Sequence, residues 1–150
     1  ASGDLPTVTD NGLSARVIAG KAFGVTSPVA MVSDWFYAEV MLAAGLSVPL
    51  DADHEERAIY LIEGEIEIAG DRFDGPRLLV FRPGDRISVR ATQSARMMFL
   101  GGTALEGPRH IWWNFVSSSK ERIEQAKEDW KAGRFARVPD ETEFIPLPDR

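Results

Sequence analysis

Between Gly45 and Gly84, short runs of β-branched and aromatic residues alternate with Gly, Pro and Asp. A turn signal roughly every ten residues is typical of an all-β barrel or sandwich. In 65–69, acidic and apolar residues alternate, which places one set of side chains on each face of a strand. In 58–62, by contrast, both parities are apolar, so both faces of that strand need cover. The sequence therefore predicts a small β-barrel with something packed on its outside.

Two stretches of this region resemble the characteristic stretches of the cupins, which are jelly-roll β-barrels: residues 58–64 and, after a polar hairpin, residues 81–85. Cupins that bind a metal carry two His and a Glu in the first stretch and a third His in the second. Here the Glu position falls on Arg57, the first two His positions fall within 50–53, and the last falls on Ile87. A mononuclear metal site needs three or four convergent ligands. The resemblance therefore predicts a metal-free barrel.

Two ionisable residues, His54 and Glu56, lie close to these empty ligand positions. In a catalytic interpretation, Glu56 is a general base and His54 a proton shuttle in the barrel mouth. We weigh a surface ion pair at a strand end above catalysis for both residues. Tyr60 is expected in the core with its hydroxyl satisfied. The residues expected to line a pocket are Tyr60, Ile87, Met98 and Trp112.

The composition excludes several classes of protein. A chain of 150 residues can bury about two thirds of its unfolded surface, so we expect one cupin domain over residues 1–150. There is no Cys, which excludes disulfides and Cys-based zinc sites. The net charge of −6 argues against direct nucleic-acid binding. No apolar run approaches the roughly 20 residues of a membrane span and no signal-peptide pattern is present, so we expect a cytoplasmic protein without a membrane partner.

Alternation along the chain predicts four further strands, at 14–19, 34–42, 86–90 and 94–102, the last closed by a turn at Gly101 and Gly102. The segment 106–116 is predicted as one aromatic-rich strand, on which Trp112 and Trp113 point to opposite faces. In the strand 34–42, the parity expected to face the core consists of Phe36, Ala38, Val40 and Leu42.

A short helix is predicted near the C-terminus, starting at Ser118, which has capping-box spacing to Glu121. Gly133 is the expected residue just beyond its end. The residues after it contain Pro and apolar side chains, which predict an extended C-terminal strap, residues 138–148. The stripe expected to pack on a surface consists of Ile123, Ala126, Lys127 and Trp130.

The C-terminal third resembles a more specific family. Residues 114–135 with the Pro-rich ending resemble the end of pirins, and residues 15–28 resemble the start of their second half. Pirins are two-cupin proteins whose first barrel holds iron through three His and a Glu, whereas the second is degenerate. The resemblance covers the C-terminal cupin half only, so it places the iron in a half that this sequence lacks. The resemblance implies the functions of pirins, which are quercetin 2,3-dioxygenase activity in some members and transcriptional co-regulation in others. It assigns neither function to a particular residue of this sequence.

Two functions from different classes remain open at this point. In the first, the chain is a metal-free, degenerate cupin that acts as a structural and interaction module, with a second copy or a second cupin domain as its partner. In the second, it is a cupin that binds a small aromatic ligand, or part of a pirin-type quercetin 2,3-dioxygenase whose iron lies in the other half. The sequence does not decide whether the chain is an enzyme.

Overall fold

The computed structural model describes residues 5–148. The chain divides into two compact units, with the boundary after Ala104, and each is described by itself. A single cupin domain over residues 1–150 stays a prediction.

The first unit consists of short strands that pair antiparallel throughout its described part. In chain order they are β1 (Thr7–Asp10), β2 (Leu13–Ala19), β3 (Lys21–Ala22), β4 (Val25–Thr26), β5 (Trp35–Leu42), β6 (Ser47–Leu50), β7 (Glu56–Glu63), β8 (Glu65–Ile68), β9 (Asp71–Asp74), β10 (Arg77–Phe81), β11 (Ile87–Ala91) and β12 (Ala95–Gly102). One sheet has the order β1-β2-β5-β12-β7-β10 and a second the order β6-β11-β8-β9, while β3 and β4 pair with each other.

The core of the first unit lies between its six-stranded and four-stranded sheets. On β2, β6, β8 and β11, alternate residues are buried, as the period of two requires. On β8 these are Ile66 and Ile68, and on β11 Val89 is fully buried while Ile87 packs against the same cluster. Each fully buried aliphatic side chain contributes about 1.5–3 kcal/mol. The predicted core face of β5 is confirmed by the burial of Phe36, Ala38, Val40 and Leu42.

The turn predicted at Gly101 and Gly102 is wrong, because both are the last residues of β12. They are glycines because the neighbouring strands come too close for a side chain. A Cβ on Gly101 would lie 2.6 Å from the carbonyl oxygen of Glu56 and 2.7 Å from Cε1 of Phe36. A Cβ on Gly102 would lie 2.8 Å from Cβ of Trp35.

The second unit contains the strands β13 (His110–Trp112) and β14 (Phe115–Ser117) and the helix α1 (Lys120–Lys131). The single strand predicted over 106–116 is wrong, because the chain reverses at Trp113 and Asn114 and pairs β13 with β14. Trp113 has a φ of 49°, a left-handed conformation that suits a tight hairpin. Trp112 and Trp113 consequently lie in one aromatic cluster, with ring centroids 6.4 Å apart.

The N-cap of helix α1 lies one residue later in the chain than predicted. Ser119, not Ser118, is the N-cap: its Oγ accepts a hydrogen bond from the backbone N–H of Arg122 at 3.3 Å and donates to Glu121 at 2.5 Å. At the other end, Gly133 follows the C-cap Ala132 with a φ of 64°, which confirms its predicted role. The described part of the chain contains no helix with the length and apolar character of a membrane span.

The C-terminal strap is tied to α1 through one side chain. Trp130 donates from Nε1 to the carbonyl oxygen of Ile145 at 2.8 Å, and its ring stacks on Phe144 at 6.0 Å. Trp113 meets Trp130 edge to face at 5.1 Å. Because aromatic pairs of this kind contribute about 0.5–1.5 kcal/mol each beyond area burial, Trp130 is the hub of the second unit.

Candidate functional site

The barrel mouth is the end of the first unit where the loop between β6 and β7 meets the start of β5. His54 lies in that loop with little of its side chain exposed. Its Nε2 is 3.2 Å from Oδ1 of Asp34, and its ring packs on Phe36 with centroids 5.3 Å apart. The cavity beside it measures about 30 Å³ and is lined by Lys21, Ala22, Phe23, Phe36, Pro49, Leu50, Asp51, Asp53, His54 and Phe99.

Glu56, the other catalytic candidate, is exposed at the start of β7 and does not line this cavity. The structure thus brings His54 to Asp34 and not into a hydrogen bond with Glu56. A hydrogen bond between an Asp and a His ring fixes the orientation of the ring. Such a pair fits a proton-transfer site, and it equally fits an ion pair that stabilises the end of a strand. A catalytic role for His54 and Glu56 stays a prediction.

Arg57 is 2% exposed, although it carries a formal charge. Its Nη1 and Nη2 donate to the carbonyl oxygens of Asp51, at 3.3 Å, and Arg82, at 3.0 Å, and its Nε has no partner among the described residues. By the cupin resemblance, this buried guanidinium falls at the position where metal-binding cupins carry a ligating Glu. A cation at that position repels a metal ion, and the described residues contain no group of three or more His, Cys, Asp or Glu placed to hold one. These residues do not fit an iron site.

The four residues predicted to line a pocket are not gathered at the barrel mouth. The core position predicted for Tyr60 is wrong, because its neighbours Ile59 and Leu61 face the core and the alternation of β7 turns Tyr60 outward. Met98 lies directly opposite Tyr60, on the same outer face. Ile87 packs against the core of the first unit. Trp112 belongs to the second unit, where the Nζ of Lys127 lies 4.3 Å from its ring centroid.

The outer face of the six-stranded sheet carries a continuous apolar surface over β10, β7 and β12. Leu78 and Tyr60 are directly opposite each other, as are Val80 and Ala58. Leu78 is 56% exposed, Val80 73% and Tyr60 42%. Antiparallel sheets with one face in water usually turn polar residues to that side. We call the set Tyr60, Leu78, Val80, Met98 and Leu100 the outer apolar face.

The outer apolar face borders a charged cluster that was not predicted from the sequence. Glu39 on β5 is 7% exposed and accepts from Nε and Nη2 of Arg96 at 2.9 and 2.6 Å and from Nη2 of Arg16 at 2.5 Å. Hydrogen bonding from Arg96 lowers the pKa of Glu39, against the opposing effect of burial and with help from the charge of Arg16. A lone Glu within the apolar run 35–42 was the only signal for this cluster in the sequence.

Comparisons with known proteins agree with this architecture. The profile of the pirin C-terminal cupin domain matches residues 37–136. A pirin-like protein of Caulobacter vibrioides is 47% identical over 148 residues, which are 97% of this chain and 51% of that protein. Pirin-1 of Arabidopsis thaliana is 27% identical over 136 residues, which are 85% of this chain and 47% of that protein.

A solved structure shows the same fold. A quercetin 2,3-dioxygenase from Acinetobacter baumannii superimposes with a TM-score of 0.83 at 25% identity, over 98% of this chain and 52% of that one. The fold class is therefore confirmed as an all-β cupin fold with one short C-terminal helix. The chain spans about half the length of the relatives it matches. It belongs to the pirin family, and it matches the C-terminal cupin half of these proteins.

Proposed function

We propose that this chain is a non-catalytic cupin domain that serves as a structural and interaction module. Its partner is another cupin barrel, which packs on the outer apolar face. The observation that carries this proposal is the exposure of Leu78, Val80 and Tyr60 side by side on a regular sheet. Contiguous apolar surface of this kind marks an interaction site on a soluble protein.

The chemistry of the face supports a protein partner. Tyr, Met and Arg are enriched at protein interfaces, and Tyr60, Met98 and Arg96 occur here together. Two antiparallel sheet faces are also complementary in shape, since sheets pack about 10 Å apart with their strands nearly aligned. The Arg16–Glu39–Arg96 cluster then forms a polar rim on one side of the apolar centre.

For the isolated chain, the barrel that covers this face is a second copy, so we propose a homodimer. The alternative cover is the set of N-terminal strands of the same chain. Strands β1 and β2 extend the six-stranded sheet beyond β5 and do not lie across β7. They therefore leave Tyr60 and Leu78 exposed.

The small-molecule interpretation has less support at the barrel mouth. A cavity of about 30 Å³ accommodates about one water molecule, whereas sites for small organic ligands measure roughly 300–1,000 Å³. Dioxygenase activity belongs, in this proposal, to a pirin-like protein as a whole, with its iron in the half that this chain does not match. A cytoplasmic location also remains a proposal, and fractionation of expressing cells tests it.

Light scattering over a range of protein concentrations tests the dimer. We expect a dimer for the natural chain and a monomer for Leu78→Glu, which places a charge within the outer apolar face, where the proposed partner would bury it. Val32→Glu is the matched control: Val32 is fully exposed and lies outside the outer apolar face, so the dimer should persist. A monomer at all concentrations, or a dimer that survives Leu78→Glu, overturns the proposal.

A further inference from the structure

The second unit contains a groove of about 730 Å³ between the hairpin β13–β14 and helix α1. This volume lies within the usual range for sites that bind small organic molecules, about 300–1,000 Å³. The groove is therefore large enough for an aromatic molecule with one or two rings, which the barrel mouth is not.

One wall of the groove is apolar and flat. Phe115 and Phe135 stack with centroids 5.8 Å apart and planes 10° from parallel, and both line the groove. Phe135 is 45% exposed although it contacts Phe115 and Trp130, so part of its ring is accessible to a ligand. Ile123, the buried residue of α1, and Ala126 complete this wall. A planar aromatic ligand gains most from such a surface, because offset stacking adds to the burial of its apolar area.

The polar part of the groove has an excess of positive charge. Arg109 and Arg122 both line it, and neither forms an ion pair with a carboxylate in the part of the chain that the structure describes. Asp129, the acidic residue of the lining, already accepts from Nη1 of Arg134 at 2.6 Å and from Nε2 of Gln125 at 2.9 Å.

Arg109 is held in place by the backbone around it. Its Nη1 donates to the carbonyl oxygens of Glu106 at 2.8 Å and Pro108 at 3.2 Å. Anchoring one nitrogen of a guanidinium fixes its plane and leaves its other N–H groups to bind an acceptor, which suits a carboxylate. Ser117 and Ser118 also line the groove, and the Ser117 hydroxyl, which accepts from the backbone N–H of Ser119 at 3.2 Å, keeps its own O–H to donate.

We propose that this groove binds a small planar aromatic anion, such as an aryl carboxylate. The ring stacks on Phe135, and the carboxylate accepts hydrogen bonds from Arg122 and Arg109. A neutral ring lacks the charge that the two guanidiniums recognise, and a saturated ring lacks the flat face that the phenylalanines recognise.

Calorimetric titration of the full chain tests the proposal with three probes of similar size. Benzoate should bind with a saturable isotherm, while benzamide, which is neutral, and cyclohexanecarboxylate, which is not planar, should each bind at least about tenfold more weakly. Equal affinity for benzoate and benzamide, or no saturable binding of benzoate, overturns the proposal.

Two variants locate the site. Arg122→Gln should raise the Kd for benzoate about tenfold or more, because a charge-assisted hydrogen bond is lost. Lys120→Gln is the matched control, since Lys120 is an exposed cation in the same turn of α1 but does not line the groove, and its Kd should change less than about twofold. An equal loss in both variants indicates general charge attraction and overturns the proposed site. Circular dichroism of both variants confirms that α1 is intact.

Discussion

Arg96 donates two hydrogen bonds to a single carboxylate oxygen of Glu39, across the pairing of β12 with β5. The residues are 57 positions apart in the chain, so the bond pair joins segments that only the folded sheet brings together. Arg16 on β2 completes the cluster from the other side. Three adjacent strands of the six-stranded sheet are thus connected by side chains as well as by backbone.

The first prediction concerns pH. Because Arg96 and Arg16 lower the pKa of Glu39 in the folded state, the cluster stabilises the fold fully above the ordinary pKa of an unfolded Glu, about 4.5. This contribution is lost as the pH falls through the lower, folded value. Glu39→Gln should cost about 2 kcal/mol at pH 7 and flatten the acid side of the stability profile. Urea unfolding at several pH values measures both effects.

Glu55→Gln controls for the removal of one negative charge, since Glu55 is exposed in the loop before β7. Its stability should follow the natural protein at every pH. If Glu39→Gln loses as much stability on acidification as the natural protein does, the assigned role of the cluster is contradicted.

The second prediction concerns the strap. Trp130→Ala removes the hub of the aromatic cluster and should cost on the order of 3 kcal/mol in the stability of the second unit. Trp130→Phe keeps much of the stacking but loses the bond to the Ile145 carbonyl, and should cost about 1 kcal/mol. Limited proteolysis within 138–148 and thermal unfolding report the two losses.

The alternative to a structural role is that α1 is a mobile lid, and these variants distinguish the two. A lid would show no change in unfolding midpoint for Trp130→Ala. Graded losses in the order Ala greater than Phe support the structural role.

The third prediction concerns Gly101. Gly101→Ala forces a methyl group against the Glu56 carbonyl and the Phe36 ring, which should cost about 1–3 kcal/mol. Gly70→Ala has open space around it and meets only the cost of its positive φ, about 1 kcal/mol. Chemical denaturation of the two variants should rank Gly101→Ala as the less stable, and the reverse order would show that β12 and β7 can separate.

The fourth prediction concerns metals. The purified chain should contain far less than one transition-metal ion per molecule, because a cation at Arg57 stands where a ligand is needed. Mass spectrometry of the elements measures this directly after expression in iron-supplemented medium. One iron per chain that disappears in His54→Ala would contradict it.

Strands and core could be predicted because alternation encodes which side chain faces inward. That rule located β5 and its buried parity within one residue. It failed for Tyr60, since a strand that is apolar at both parities does not reveal which face is uncovered. The outer apolar face is therefore a property of the assembled sheet.

Local chemistry also left some choices undecided. Residues 117–119 are all serine, and each offers a hydroxyl for capping, so the choice of Ser119 depends on where β14 ends. The chain reversal at Trp113 contains no glycine, so the sequence lacks the usual signal for a tight turn. The Arg16–Glu39–Arg96 cluster depends on the register of three strands, which no single segment contains.

Strand β10 lies at an edge of the six-stranded sheet, and the prolines on either side of it limit the pairing of a further strand with that edge. An edge strand with apolar side chains is a template for uncontrolled strand addition, which leads to aggregates. Pro76 precedes β10 and Pro83 follows it closely, and neither has an N–H group to continue a ladder. Any strand added at this edge is therefore confined to about the length of β10, and the two prolines limit how far a ladder can extend along the chain.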